Sequence, residues 1–101
     1  DRPMTIRVIN LKHEPCDIRV CRPSRWGNPW RVDGDDELRR FAVAHYRQWI
    51  AGRPELVDQL YRRIRARYPD GLIRPVRLGC WCAPLPCHAD VLAALLRERL
   101  K

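Results

Sequence analysis

Two stretches of the chain concentrate the residue types that do chemistry. One is Arg22-Pro23-Ser24-Arg25-Trp26-Gly27-Asn28-Pro29-Trp30, the other Cys80-Trp81-Cys82-Ala83-Pro84-Leu85-Pro86-Cys87-His88-Ala89-Asp90. In the first, Arg22 and Arg25 carry the planar guanidinium that pairs with phosphate or carboxylate. Ser24 and Asn28 donate and accept hydrogen bonds, and Asn28 does both from one amide. Gly27 permits a tight turn or close backbone approach. Pro29 pushes Asn28 toward an extended conformation, which fixes its side-chain direction. Trp26 and Trp30 supply flat surfaces for stacking on a base. The expected ligand set is therefore Arg22, Ser24, Trp26 and Asn28. The competing reading is a structured turn whose tryptophans plug the end of the core.

The second stretch supports three readings. Cys80, Cys82, Cys87 and His88 form a Cys3His set with zinc chemistry, although the spacing departs from the usual two residues between ligating cysteines. Alternatively, Cys87 is a reactive thiolate at a helix N-terminus, where the dipole and nearby arginines lower a thiol pKa, with His88 and Asp90 as acid–base partners. In the third reading Cys80 and Cys82 are small buried hydrophobes and Asp90 is a first-turn carboxylate. Cys16 and Cys21 share no metal spacing with the others and are read as incidental.

The elements that must position these stretches are legible from pattern. Thr5–Leu11 is rich in β-branched residues and Asp17–Cys21 alternates, so both are predicted strands. The short link from Lys12 to Cys16 predicts that they are antiparallel neighbours. A helix is predicted over Asp33–Ala51, opened by Asp33, Asp35 and Asp36 and stopped by Gly52. Its apolar stripe runs through Leu38, Phe41, Ala42, His45, Tyr46 and Trp49, with His45 at the edge of the core. A second helix starts at Pro54, buries Leu56, Val57, Leu60, Tyr61 and Ile64, and ends at Tyr68-Pro69-Asp70-Gly71. Arg62, Arg63, Arg65 and Arg67 mark its outer face, either a solvated surface or a nucleic-acid contact. Arg74–Cys82 is the third strand. A final helix over His88–Arg99 turns Val91, Leu92, Leu95 and Leu96 inward.

The order β-β-α-α-β-α defines a small α/β domain with a mixed sheet of three or slightly more strands, Rossmann-like in that two helices cross over between parallel strands two and three. Parallel strands place both of their C-terminal ends on one edge of the sheet. The two chemically dense loops, 22–30 and 83–90, leave those ends and are expected to face one shared pocket.

Composition sets the outer limits. The chain has 101 residues, enough for one domain (4–101, with residues 1–3 read as extraneous or flexible before Met4) and too few for two. A 46% hydrophobic content argues against a disordered tail. The uncharged run Leu78–His88 contains two prolines and three cysteines, so no transmembrane helix and no membrane partner is expected. Five unevenly clustered cysteines do not make a secreted disulfide framework, and the start has no apolar signal region, so the expected compartment is the cytoplasm. Twenty basic residues against twelve acidic ones give +8, a field that attracts nucleotides, nucleic acid or other polyanions.

Both dense motifs, together with His45-Tyr46-Arg47-Gln48-Trp49-Ile50, resemble a family of small phage and bacterial proteins known as domain of unknown function 4326. The resemblance spans about residues 6 to 97. The chain has Cys21 and Ala89 where the family motifs usually carry glycine. The resemblance implies a phage or mobile-element setting, in which DNA and nucleotide handling are common.

Three functions follow as expectations. The leading one is a basic cytoplasmic protein binding a nucleotide, nucleoside or nucleic-acid phosphate between loops 22–30 and 83–90; whether it also acts enzymatically through Cys87, His88 and Asp90 is left open. The second is a zinc-stabilised nucleic-acid-binding module using the arginine face of the second helix. The third is a protein-interaction or inhibitor protein with a protein partner.

Overall fold

The computed structural model describes residues 5–30, 34–68, 75–83 and 85–99. Three strands and three helices occur in the predicted order: β1 (Ile6–Asn10), β2 (Ile18–Arg19), α1 (Asp36–Ala51), α2 (Pro54–Arg67), β3 (Val76–Cys80) and α3 (His88–Arg99). The start of the chain before Thr5, and Asp33, Pro69–Gly71 and Arg74, fall outside the described residues.

The sheet order is β1-β3-β2, and β3 is parallel to both neighbours. The parallel pairing of β2 and β3 is as expected. The antiparallel pairing of β1 with β2 is not, and the sheet is wholly parallel rather than mixed. Register explains how so short a link achieves this. Asn10 pairs with Cys80 and Ile18 with Leu78, so β2 begins only two residues behind the end of β1. The chain must step back by only about 7 Å, at roughly 3.3 Å per residue, and needs no helical crossover. On the way it crosses β3 at Gly79, where an added Cβ would lie 2.7 Å from Leu11 Cδ2 and from Cys16 Cβ and Sγ. A residue without a side chain is what lets the link lie against the sheet.

The other face of the sheet carries the core. Ile6, Ile18, Val20, Val76, Leu78 and Cys80 meet Tyr46 and Ile50 of α1, Val57, Leu60 and Ile64 of α2, and Leu92 and Leu96 of α3. These helix residues fall at three- and four-residue steps, as an amphipathic helix requires. The N-cap of α1 is Asp35, whose Oδ1 accepts the N–H groups of Glu37 at 2.8 Å and Leu38 at 3.1 Å. The predicted stripe on α1 is rotated by about one position. Ala42, Tyr46 and Ile50 are buried, whereas Leu38 and Phe41 are 46% and 58% exposed. His45 is exposed rather than at the core edge, and its ring stacks between Trp30 and Phe41.

Asp17 fastens the edge strand. Its carboxylate accepts the Arg77 N–H at 2.8 Å, pairs with the Arg77 guanidinium, and accepts the Tyr68 hydroxyl at 3.3 Å.

Candidate functional site

The loops leaving β2 and β3 meet as expected. They enclose a cavity of about 280 Å³ whose wall includes Arg22, Asn28, Trp30, Arg39, Trp81, and the Cys80, Cys87 and His88 floor. This volume lies at the small end of small-molecule pockets, which run from roughly 300 Å³ upward.

In loop 22–30 the two tryptophans take opposite roles. Trp26 is 4% exposed, and its Nε1–H donates to the Leu56 carbonyl at 2.8 Å. The Trp26 carbonyl accepts the Tyr46 hydroxyl at 2.7 Å. Trp26 therefore plugs the core and has no face for a ligand, contrary to the expectation that it stacks on a base. The stacking surfaces in the cavity wall are Trp30 and Trp81, 37% and 48% exposed. Ser24 also lies away from the cavity: its backbone builds the turns Ser24 N–H to Cys21 O and Gly27 N–H to Ser24 O. Gly27 packs directly on Arg22, since a Cβ there would lie 2.9 Å from the Arg22 Cα and N. Asn28 is buried in the wall. Its Nδ2 donates to the Ala42 carbonyl at 3.1 Å and its Oδ1 accepts the Trp30 N–H at 3.0 Å. These bonds set the position of Trp30 and use one N–H and one acceptor site of the amide.

Arg22 reaches the cavity as expected, and it is joined by a second arginine that sequence reasoning missed. Arg39 stands one turn into α1 with its side chain 12% exposed. Its Nη1 reaches the Pro86 carbonyl at 3.5 Å, the Asp36 carboxylate lies 3.9 Å from its Nε, and that Nε has no hydrogen-bond partner. The signal available in the sequence was a basic residue three positions before the buried Ala42, on a helix packed beside both loops. Asn10 is a second omission. From the end of β1 its Nδ2 donates to the carbonyls of Trp81 at 3.2 Å and Ala83 at 2.9 Å, holding the second loop in place.

The floor is built from the end of β3 and the start of α3. Cys80 Sγ and Cys87 Sγ are 3.3 Å apart, and both cysteines are free. The Cys87 S–H hydrogen bond holds the Cys80 thiol below its ordinary pKa, aided by the N–H groups of Cys82 and Ala83 and opposed by burial. Cys87 is pushed up, because its proton is shared with Cys80 and because it is buried. The contact between the two sulfurs thus favours charge on Cys80, whereas the sequence reading looks for the thiolate on Cys87. The helix N-terminus is occupied in another way. Asp90 Oδ2 accepts the Cys87 N–H at 3.0 Å while the Asp90 N–H donates to the Cys87 carbonyl at 3.1 Å, a reciprocal cap of α3. Asp90 holds the helix end together and is not aimed at the cavity.

His88 is buried, with Nε2 2.8 Å from the Val20 carbonyl and its ring edge-on to Tyr46 at 5.1 Å. A carbonyl partner requires the proton on Nε2. Burial, and next the Arg22 charge, hold its pKa below the ordinary value, against the Val20 hydrogen bond. His88 is therefore a neutral ring tying the start of α3 to Val20, just past β2. Among the described residues no group of three or more His, Cys, Asp or Glu is arranged to hold a metal. Cys80 and Cys87 face one another, and His88 Nε2 faces the Val20 carbonyl.

The predicted basic face of α2 is exposed at Arg62, Arg63, Arg65 and Arg67. Arg63 lies over the Trp26 ring at 5.8 Å and Arg67 over the Tyr68 ring at 5.7 Å. Arg63 and Arg67 share a smaller hollow with Arg19 and Asp17, apart from the cavity between the loops. No helix among the described residues is long and apolar enough to cross a membrane.

Residues 6–98 match the family described as Domain of unknown function (DUF4326). The chain belongs to this family. Both cavity loops, Asn10, Arg39 and the Cys80–Cys87 pair lie inside the DUF4326 match. One relative is the uncharacterized 12.4 kDa protein in the nrdA-td intergenic region of Enterobacteria phage T4. It is 27% identical over 95 residues, covering 94% of this chain and 81% of the phage protein. No solved structure matches this member of the family.

Proposed function

We propose that the cavity binds a nucleotide, or the phosphate-bearing end of a nucleic acid, with the phosphate between Arg22 and Arg39 and the base against Trp30 and Trp81. The observation that carries this reading is the placing of Arg22 and Arg39 on one cavity wall, with the Arg39 side chain only 12% exposed and its contacts long: 3.5 Å from Nη1 to the Pro86 carbonyl and 3.9 Å from Nε to the Asp36 carboxylate. A largely buried guanidinium held by such long contacts has further N–H groups for an anion, and a hydrogen bond to a charged group contributes about 1.5–3 kcal/mol. Arg22 on the same wall adds a second guanidinium, and two accessible indole rings add a surface for an aromatic group. The +8 net charge raises the local concentration of such anions.

The test is calorimetric titration of the chain with nucleoside 5′-monophosphates, the matching nucleosides and inorganic phosphate. The expected order is monophosphate tightest, with binding weakened at least roughly tenfold in Arg39→Ala and Arg22→Ala, the loss of a charged hydrogen bond. Equal affinity for nucleoside and monophosphate, or no effect of either substitution, overturns the reading.

A strand of nucleic acid is a second reading favoured by one contact. The Arg19 guanidinium lies over the Trp81 ring at 5.5 Å, and Arg19 shares the smaller hollow with Arg63 and Arg67. This arrangement supports a basic path from the cavity across Trp81 toward α2. It predicts that an oligonucleotide binds more tightly than a mononucleotide, and that neutralising Arg63 and Arg67 lowers the salt dependence of oligonucleotide binding alone.

A further inference from the structure

We propose that Cys80 and Cys87 form a redox-active dithiol in the floor of the cavity, reacting with small hydroperoxides and closing to an intramolecular disulfide. The inference is independent of nucleotide binding and goes beyond it.

The geometry supports each part. The two sulfurs are 3.3 Å apart, and closing them to a bond of about 2.05 Å asks for little movement. Cys80 ends β3 and Cys87 caps α3, so the two thiols are held by separate elements joined through a short loop. Both line the cavity, yet they are only 1% and 3% exposed. A cavity that admits water-sized molecules admits hydrogen peroxide to such a floor, whereas a tripeptide disulfide such as oxidised glutathione does not reach it. The neighbouring groups assign the roles. The Cys87 S–H, and then the N–H groups of Cys82 and Ala83, favour negative charge on Cys80, against the single Ala89 N–H at Cys87, so the attacking role goes to Cys80. Cys87 keeps its proton and is the resolving thiol.

The steps balance. The Cys80 thiolate attacks one peroxide oxygen, forming an S–O bond as the O–O bond breaks. The second oxygen leaves as hydroxide, which takes up a proton to become water. The Cys87 sulfur then attacks the Cys80 sulfenic acid. An S–S bond forms, the S–O bond breaks, and the departing hydroxyl leaves as water with the Cys87 proton. Two thiols are oxidised and one peroxide is reduced to two waters.

The test is intact mass and peptide mapping of the nucleotide-free, reduced protein after hydrogen peroxide, with oxidised glutathione in parallel. Peroxide is expected to remove two hydrogens from the protein and to map the disulfide to Cys80–Cys87. Oxidised glutathione is expected to react at these two positions at least roughly tenfold more slowly, because of burial. Cys87→Ser should stop at a Cys80 sulfenic acid that dimedone traps, and Cys82→Ser and Cys21→Ser should leave the disulfide unchanged. A disulfide that maps to Cys16, Cys21 or Cys82, or retention of all free thiols under peroxide, overturns the proposal. Mapping on the unsubstituted chain decides the matter even where a variant fails to fold.

Discussion

Replacing Tyr46 by phenylalanine tests how the first loop is held. Tyr46 is fully buried, and its hydroxyl donates to the Trp26 carbonyl at 2.7 Å. Burial holds the phenol above its ordinary pKa, so it remains a donor throughout the neutral range. The substitution keeps the ring and its edge-on contact with His88 but leaves the Trp26 carbonyl without that partner. A net hydrogen bond contributes about 0.5–1.5 kcal/mol, and an orphaned buried carbonyl costs about 1–3 kcal/mol. The expected destabilisation is therefore about 2 kcal/mol, or a fall in Tm of roughly 8–16 °C for a domain of this size. Urea unfolding followed by circular dichroism gives the difference directly, with the slope unchanged between variants. A loss below roughly 0.5 kcal/mol, the range of neutral surface substitutions, would refute the idea that this bond holds the loop.

Gly79→Ala should destabilise by about 1–3 kcal/mol in a thermal melt, because its Cβ meets Leu11 Cδ2 and Cys16 Sγ at 2.7 Å. Asp90→Ala should cost about 1 kcal/mol through the lost α3 cap, again read by thermal melting, and should leave nucleotide affinity unchanged. His88 titrates lower in the folded protein than in the unfolded chain, so between those two pKa values the unfolded state binds more protons. Its contribution to stability is complete above about pH 6.5 and is lost as pH falls below it. Urea unfolding across pH 5 to 7.5 should show a shallower decline in His88→Asn than in the parent protein.

The sequence carried the order of elements because each has strong local signals: β-branched runs for β1 and β3, Asp35 and Pro54 at helix starts, and three- and four-residue apolar steps in α2 and α3. It also carried the location of the cavity, since two helices between β2 and β3 demand a parallel pair whose ends share an edge. The insertion of β3 between β1 and β2 was hidden. The link through Pro15 looks like a hairpin connection, and only the register of Ile18 with Leu78 reveals how small a step it must make. Trp26 and Trp30 sit in the same polar loop with the same residue type, and burial alone separates a plug from a cavity wall. Arg39 belongs to no motif. Its role comes from the rotation of α1, which also turns Leu38 and Phe41 outward against the predicted stripe. The meeting of Cys80 and Cys87 at 3.3 Å depends on how the loop returns from β3 to α3, a detail that spacing does not encode.

The central claim is that the cavity between the two loops takes up a nucleotide, and its most direct measurement is an NMR titration of the indole N–H signals. The chain has four tryptophans, at positions that separate the outcomes: Trp30 and Trp81 line the cavity, while Trp26 and Trp49 do not. Addition of a nucleoside 5′-monophosphate is predicted to shift the Trp30 and Trp81 signals and leave Trp26 and Trp49 in place. Shifts confined to Trp26 or Trp49, or no shift of any indole at saturating nucleotide, would contradict it.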